Sequence, residues 1–147
     1  MVSGGELYTA LKAGFDPRHL HFHGNNKTVS ELEMAVDCGI GSVIIDAFEE
    51  VDRLDTICAA KGKHQRVLFR VKPGVHADTH EFISTRQNDS KFGFGIEDGE
   101  AMRLAKYILE HKHLDFVGIH CHIGSQVFSV DGFAKAARIM FDFFCKM

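Results

Sequence analysis

No run of lysine or arginine in this chain exceeds two residues, and the formal charge is −3 with histidine neutral. The concentrated positive charge that sequence-independent binding to nucleic acid needs is therefore missing. The four cysteines, Cys38, Cys58, Cys121 and Cys145, include no CxxC pair, and a chain of 147 residues that is 45% hydrophobic is too large and too apolar to need disulfide staples. They read as reduced thiols of a cytoplasmic protein. No basic patch leads into an apolar segment at the N-terminus, and no apolar run approaches the ~20 residues of a membrane span, so neither a secretory leader nor a transmembrane helix is expected. Low-complexity linkers and internal domain boundaries are also lacking. What is left is one soluble globular unit with enough apolar surface for a single core.

Short strand-like runs alternate with amphipathic helix-like runs along that unit, which is the pattern of a parallel α/β protein. Residues 6–13 read as a helix, with Ser3 and Glu6 at capping-box spacing and Gly14 as its stop. Residues 19–23 read as a strand with Leu20 and Phe22 on one face and the histidines on the other. A second helix over 28–38 takes Thr28 or Ser30 as its cap, Leu32, Ala35 and Val36 as its apolar stripe and Gly39 as its end. A strand over 42–45 follows, then a helix over 49–60 with Val51, Leu54, Ile57 and Cys58 facing inward, and a strand over 66–71. The rhythm breaks over 75–98, a loop long enough to be functional. It resumes with a helix over 99–111, a strand through His120 and a last helix over 130–146.

These are about four βα units, half of the eight that close a (β/α)8 barrel of roughly 250 residues. The expected fold is therefore α/β, a partial TIM barrel occupying residues 1–147. The chain reads as truncated: its first helix lacks a preceding strand, and it stops within the apolar run Ile139-Met-Phe-Asp-Phe-Phe144. An open arc of this kind leaves a helix face and sheet edges uncovered, so alone it is expected to be marginal or to self-associate.

The most informative stretch is Asp115-Phe-Val-Gly-Ile-His-Cys-His-Ile-Gly-Ser-Gln126. Val117, Ile119 and Cys121 alternate with Gly118, His120 and His122, which puts both imidazoles on one face of a strand. Gly124 and Ser125 then offer backbone N–H groups and a hydroxyl of the kind that holds phosphate, although an ordinary turn or a helix cap uses the same residues. His21-x-His23 and His120-x-His122 also have the spacing with which metal-dependent hydrolase barrels bring two imidazoles to one ion. Asp46 is the one strand-end carboxylate in view. Ten histidines are many for this length, but the count alone decides nothing.

Six motifs in order resemble the diaminopimelate decarboxylases, the lysine-biosynthetic branch of the pyridoxal-phosphate decarboxylases built on an alanine-racemase-like barrel. They are Ser3-Gly-Gly-Glu-Leu7, His23-Gly-Asn-Asn-Lys27, Phe69-Arg-Val-Lys-Pro-Gly74, Thr79-His-Glu-Phe-Ile-Ser-Thr85, Ser90-Lys-Phe-Gly93 and Gly118-Ile-His-Cys-His-Ile-Gly-Ser-Gln126. The resemblance implies pyridoxal 5'-phosphate as cofactor and loss of CO2 from meso-2,6-diaminopimelate to give L-lysine. His122 takes the catalytic assignment, with its ring stacked on the pyridine. Gly124 and Ser125 lie near the cofactor phosphate, and Arg70 points toward the phenolic oxygen, where a permanent cation favours the phenolate.

Other readings of the same residues stand beside these. His122 suits a strand-end residue bonded to a neighbouring carbonyl, and Arg70 a partner for a carboxylate across the barrel mouth. Glu6 is explained equally well as a cap and stays outside the catalytic set. Lys91 falls where the family approaches its partner subunit, and Asn25, Asn26 and Lys27 shape a helix-opening turn. The resemblance places the lysine that holds the cofactor before residue 1, and the glutamate on the pyridine nitrogen, the glycine-rich phosphate turn and a C-terminal β domain beyond residue 147. It also implies a homodimer and a small amino-acid substrate, with no nucleic-acid or membrane partner. This segment alone is expected to be inactive. Related ornithine, arginine or carboxynorspermidine decarboxylases, a metal-dependent hydrolase barrel, and a non-catalytic homologue that binds partners are the competing readings.

Overall fold

Glycines in the left-handed conformation end two of the helices, and the strands over 42–45 and 65–72 are built on β-branched and aromatic residues. The computed structural model describes residues 1–74, 92–125 and 130–147. The sequence motifs around His76, Thr79, His80 and Lys91, and Gln126, lie outside these residues. The helices are α1 (Gly4–Lys12), α2 (Val29–Cys38), α3 (Phe48–Lys61), α4 (Glu100–Leu109) and α5 (Val130–Phe144). The strands are β1 (His21–Phe22), β2 (Ser42–Ile45), β3 (Gln65–Lys72), β4 (Phe94–Gly95) and β5 (Leu114–Cys121).

Thr28 caps α2 with a full capping box: its hydroxyl accepts from the Glu31 N–H, and the Glu31 carboxylate accepts from the Thr28 N–H at 2.9 Å. The expected box at α1 is only half formed. Ser3 Oγ accepts from Glu6 N, but the Glu6 carboxylate accepts from Val2 N at 2.6 Å instead of closing the ring. Gly39 and Gly62 end α2 and α3 in the left-handed conformation, with φ of 66° and 60°.

All strand pairings are parallel. β2 lies between β1 and β3, and β5 pairs with β3 along nearly its whole length, from Gln65 opposite Leu114 to Val71 opposite Cys121. β4 pairs with the end of β3 at Val71 and Lys72. Since β5 occupies the other edge of Val71, β4 continues the line of β2. Apart from β4, the strands thus run in the sequential order β1-β2-β3-β5, without the reversal that marks a doubly wound sheet. One buried cluster holds Leu7 of α1, Leu32 of α2, Leu54 of α3, Leu104 of α4 and Phe143 of α5 together with Phe22, Val43, Val67 and Phe69 of the sheet. All five helices therefore pack on one face, leaving the other as the concave side of a barrel arc.

The structure departs from three expectations. Residues 19–23 are not all strand: Pro17–His19 is a 3-10 turn, capped by Asp16 through its carboxylate and the Arg18 N–H, and only His21–Phe22 pair with β2. The strict alternation along β5 fails at Val117. Val67 faces Phe116 while Leu68 faces Gly118, so Val117 is the extra residue of a bulge and is exposed. Only beyond it do Ile119 and Cys121 alternate with Gly118, His120 and His122. β4 also falls within the stretch expected to be loop. The apolar flank of α5 is uncovered, with Phe133, Phe141 and Phe144 exposed. Among the described residues no helix is long and apolar enough to cross a membrane.

Candidate active site

The pleat sends alternate residues of β3 to opposite faces: Val67, Phe69 and Val71 go into the helix-side core, and Leu68, Arg70 and Lys72 go to the concave side. Arg70 is directly opposite His120 on β5. Beyond them, at the same end of the sheet, come His122, Gly124 and Ser125, all exposed. The structure thus brings Arg70, His120 and His122 to the C-terminal ends of neighbouring parallel strands, where (β/α)8 proteins carry their chemistry. Residues 126–129, which join Ser125 to α5, are outside the described residues, so the alternative of Ser125 as a helix cap has no structural counterpart to compare.

His120 packs against a second imidazole. Its ring meets that of His23 edge to face, with centroids 4.7 Å apart and planes at 72°. Its Nδ1 is buried and has no hydrogen-bond partner among the described residues. Burial, and then the Arg70 guanidinium, lower the pKa of His120. His23 is pulled down to about 4, chiefly by burial and next by His120. At neutral pH this pair is two uncharged rings beside a permanent cation.

A proton NMR titration of the ring C–H signals should therefore find His23 with a midpoint near 4 and not near 6.5. The stability consequence has a definite sign. Because the folded imidazole binds its proton more weakly than the unfolded one, this contribution is complete above about pH 6.5 and is lost as the pH falls toward the folded value of about 4. A His23 midpoint at or above 6.5 would contradict this.

Arg70 is held from above. Its Cζ lies 5.2 Å from the centre of the Phe92 ring, and a Cβ on Gly93 would come within 3.0 Å of its Cγ. Gly93 N–H in turn donates to Asp46 Oδ1 at 2.5 Å. Asp46, at the end of β2, is half-buried, and that burial raises its pKa against the pull of the Gly93 N–H and the Arg70 charge. Among the described residues Arg70 makes no ion pair, and the carboxylate it influences there is Asp46, through its charge.

Beside this arrangement lies a buried cation that the sequence had marked only as part of a helix-opening turn. Lys27, its side chain 1% exposed, donates to the carbonyls of Gly24 and Ile44 and pairs with Glu50 at 2.8 Å. Glu50 occupies an inward position of α3, next to Val51 and one turn from Leu54. A carboxylate on an apolar stripe was the signal that could have exposed the pair.

This donor set fits a planar, anionic, aromatic group. A guanidinium offers a fixed positive charge, His122 offers an exposed flat ring, and Gly124, with φ of 135°, brings accessible main chain to the same end of the sheet. Among the described residues no three His, Cys, Asp or Glu side chains are grouped to hold a metal ion. A mainly apolar groove of about 620 Å³ adjoins this site between β5 and α5, with His120, His122 and Gly124 at one side and Phe133, Phe141 and Phe144 at the other.

A one-sided parallel arc that gathers polar side chains at the C-terminal ends of its strands is a segment of a (β/α)8-type barrel. The chain belongs to the pyridoxal-dependent decarboxylases, matching their pyridoxal binding domain over residues 1–147. Pyridoxal phosphate is the cofactor of that family, and the membership decides against the hydrolase reading. The chain is 49% identical over 142 residues to the diaminopimelate decarboxylase of Bacillus methanolicus, covering 97% of this chain and 33% of that protein. It is 50% identical over 138 residues to that of Mycobacterium bovis, covering 94% and 31%. The crystal structure of diaminopimelate decarboxylase from M. jannaschii superposes with a TM-score of 0.90 at 36% identity, over 99% of this chain and 34% of that one. The chain spans about a third of the length of the relatives it matches.

Proposed function

We propose that this chain forms one wall of the pyridoxal-phosphate site of a diaminopimelate decarboxylase, the enzyme that converts meso-2,6-diaminopimelate to L-lysine and CO2. The observation that carries this is the 49% identity to such an enzyme across 97% of the chain, with His122, Gly124 and Ser125 following β5 at the functional end of the sheet. When bound, pyridoxal phosphate supplies the electron sink that accepts the pair left behind by departing CO2. The chain's own residues bind and orient it. The flat imidazole of His122 covers one face of the ring and keeps water from it. The Gly124 main chain and the Ser125 hydroxyl donate to the phosphate, each bond to such a charged group contributing roughly 1.5–3 kcal/mol. Arg70 holds a positive charge beside the phenolic oxygen and favours its ionised form.

The covalent lysine, the pyridine-nitrogen carboxylate and the β domain fall in this reading to parts of the relatives that the chain does not cover. A homodimer, a cytoplasmic setting and a small amino-acid substrate belong to the same reading. Four free cysteines accord with that setting.

The test is titration of pyridoxal phosphate into the protein and into His122→Ala, followed by fluorescence. Reversible binding is expected, and His122→Ala should weaken it about tenfold, the worth of one aromatic stacking contact. Equal affinity of the two proteins would remove His122 from the site. A stoichiometric pyridoxyl-lysine after borohydride treatment would overturn the placing of the covalent lysine outside this chain.

A further inference from the structure

A lysine side chain that is 1% exposed needs a reason, because taking two charges out of water costs several kcal/mol per ion before their attraction is counted. For stability alone, apolar residues of similar volume would serve at least as well. What an ion pair adds is direction, and here the directions form a connected path. Lys27 Nζ fixes Gly24 of the turn after β1, the carbonyl of Ile44 on β2, and Glu50 Oε1 on α3. The other Glu50 oxygen accepts from Asp46 N–H at 3.1 Å, which sets the turn from β2 into α3. The side chain of Asp46 then accepts from Gly93 N–H. Gly93, with φ of 79°, rests against Arg70, where a Cβ would lie 3.0 Å from the Arg70 Cγ and 3.1 Å from its carbonyl oxygen.

Each link fixes the next. Glu50 is held by Lys27 in the rotamer that reaches Asp46 N–H. Asp46 is thereby turned with its carboxylate toward the segment that carries Phe92 and Gly93. That segment closes over Arg70 and confines its guanidinium to the concave side, opposite His120. Burial raises the pKa of both Glu50 and Asp46, so each carboxylate depends on its donors to stay ionised.

We propose that Lys27 is a positioning residue of the cofactor site, setting the pose of Arg70 through Glu50, Asp46 and Gly93 without touching the cofactor. The proposal rests on the reading of Arg70 as a cofactor contact. It assigns to a buried pair on the helix side of the arc a role in the chemistry at the strand ends. Asp46 and Gly93 become its intermediate members.

The experiment has two readouts: amide hydrogen exchange at Gly93, which involves no cofactor, and the dissociation constant for pyridoxal phosphate. They are measured in the protein, in Lys27→Met, in Arg70→Ala, and in Lys27→Met combined with Arg70→Ala. Lys27→Met should speed exchange at Gly93 about tenfold or more, since a local opening freed of its anchor is easier by at least that factor. The same change should raise the dissociation constant about fivefold, and by less than twofold when Arg70 is already alanine, because an effect transmitted through Arg70 disappears with it. A general loss of structure would instead weaken binding by the same factor in both backgrounds, and that result overturns the proposal. Unchanged exchange at Gly93 in Lys27→Met overturns it as well. If Arg70→Ala alone leaves the affinity unchanged, the reading of Arg70 as a cofactor contact fails and this proposal with it, even where Gly93 responds.

Should Lys27→Met not fold, Asp46→Ala and Asp46→Asn carry the test with the buried pair intact. Asp46→Ala should reproduce both effects, whereas Asp46→Asn, which keeps an oxygen to accept from Gly93, should restore the protection of that amide. Equal exchange in the two Asp46 variants overturns the path.

Discussion

Phe69→Ala is expected to destabilise the fold by about 3–5 kcal/mol, the range for truncating a fully buried aromatic side chain. Phe69 is fully buried at the centre of the sheet. Its ring stacks on Phe116 of β5, with centroids 5.5 Å apart and planes at 19°, and meets Phe94 of β4 edge to face at 6.2 Å. It thereby ties three strands together from the middle one. The backbone on all sides belongs to paired strands, so the site cannot collapse to fill the space, and the cavity penalty adds to the lost transfer energy. The effect reaches the functional end because Arg70 is the next residue and is oriented by the same pleat. Urea unfolding of the variant beside the parent checks the size of the loss; a change below about 1 kcal/mol would mean that Phe69 is not the keystone that its contacts indicate.

That centrality was partly legible in the amino-acid sequence. The run from Val67 to Arg70 announces a strand by β-branched and aromatic residues, and its alternation tells which side chains go inward. The strand over 42–45 and the helix stripes of Leu32, Ala35 and Val36, and of Val51, Leu54, Ile57 and Cys58, are found where their spacing puts them. These signals are local, and local signals survive folding. What could not be read was pairwise. The bulge at Val117 exists because Leu68 faces Gly118 across the ladder, which is a property of two strands and not of one. β4 is two residues long and forms only because β3 offers an edge beyond the end of β2. The shortening of β1 was nearer to hand. Asp16-Pro17-Arg18 carries the turn chemistry, a capping carboxylate followed by a fixed φ, that competes with an extended start.

The site divides in the same way. His122, Gly124 and Ser125 stood out as a strand-end imidazole and a phosphate-suited turn, a motif resemblance supplied their roles and that of Arg70, and the structure puts all four at one end of the sheet. The spacing of the two HxH pairs suggested a metal, whereas folding turns His23 and His120 toward one another as neutral rings. Lys27 and Glu50 are 23 residues apart in the chain, and nothing in either neighbourhood shows that one completes the other. Glu50 within an apolar stripe was a sign that a buried cation had to come from somewhere. Which cation it would be depended on the turn after β1 passing over the start of α3.

Gly41→Ala is the other substitution with a large expected effect, a loss of about 3 kcal/mol at the upper end of overpacking penalties. The reason is a close approach of two backbones. Gly41 N–H donates to Pro17 O at 2.9 Å, and a Cβ at Gly41 would fall 2.2 Å from the carbonyl oxygen of Arg18 and 3.1 Å from that of Leu20. Both obstacles are main chain, so no side-chain rotation relieves them; the 3-10 turn over Pro17–His19 has to move away as a unit. That turn leads directly into β1, whose register is set by Ser42 opposite His21 and by Ser42 N–H donating to Leu20 O. Displacing it pulls His21 and His23 out of line with β2, and His23 away from the His120 ring. The variant should therefore lose two things together: stability, read by thermal or urea unfolding, and the depressed titration midpoint of His23, read by NMR. Retention of the low midpoint in a destabilised Gly41→Ala protein would show that β1 is held by β2 alone, and that the approach of the turn to Gly41 does not set the geometry at the strand ends.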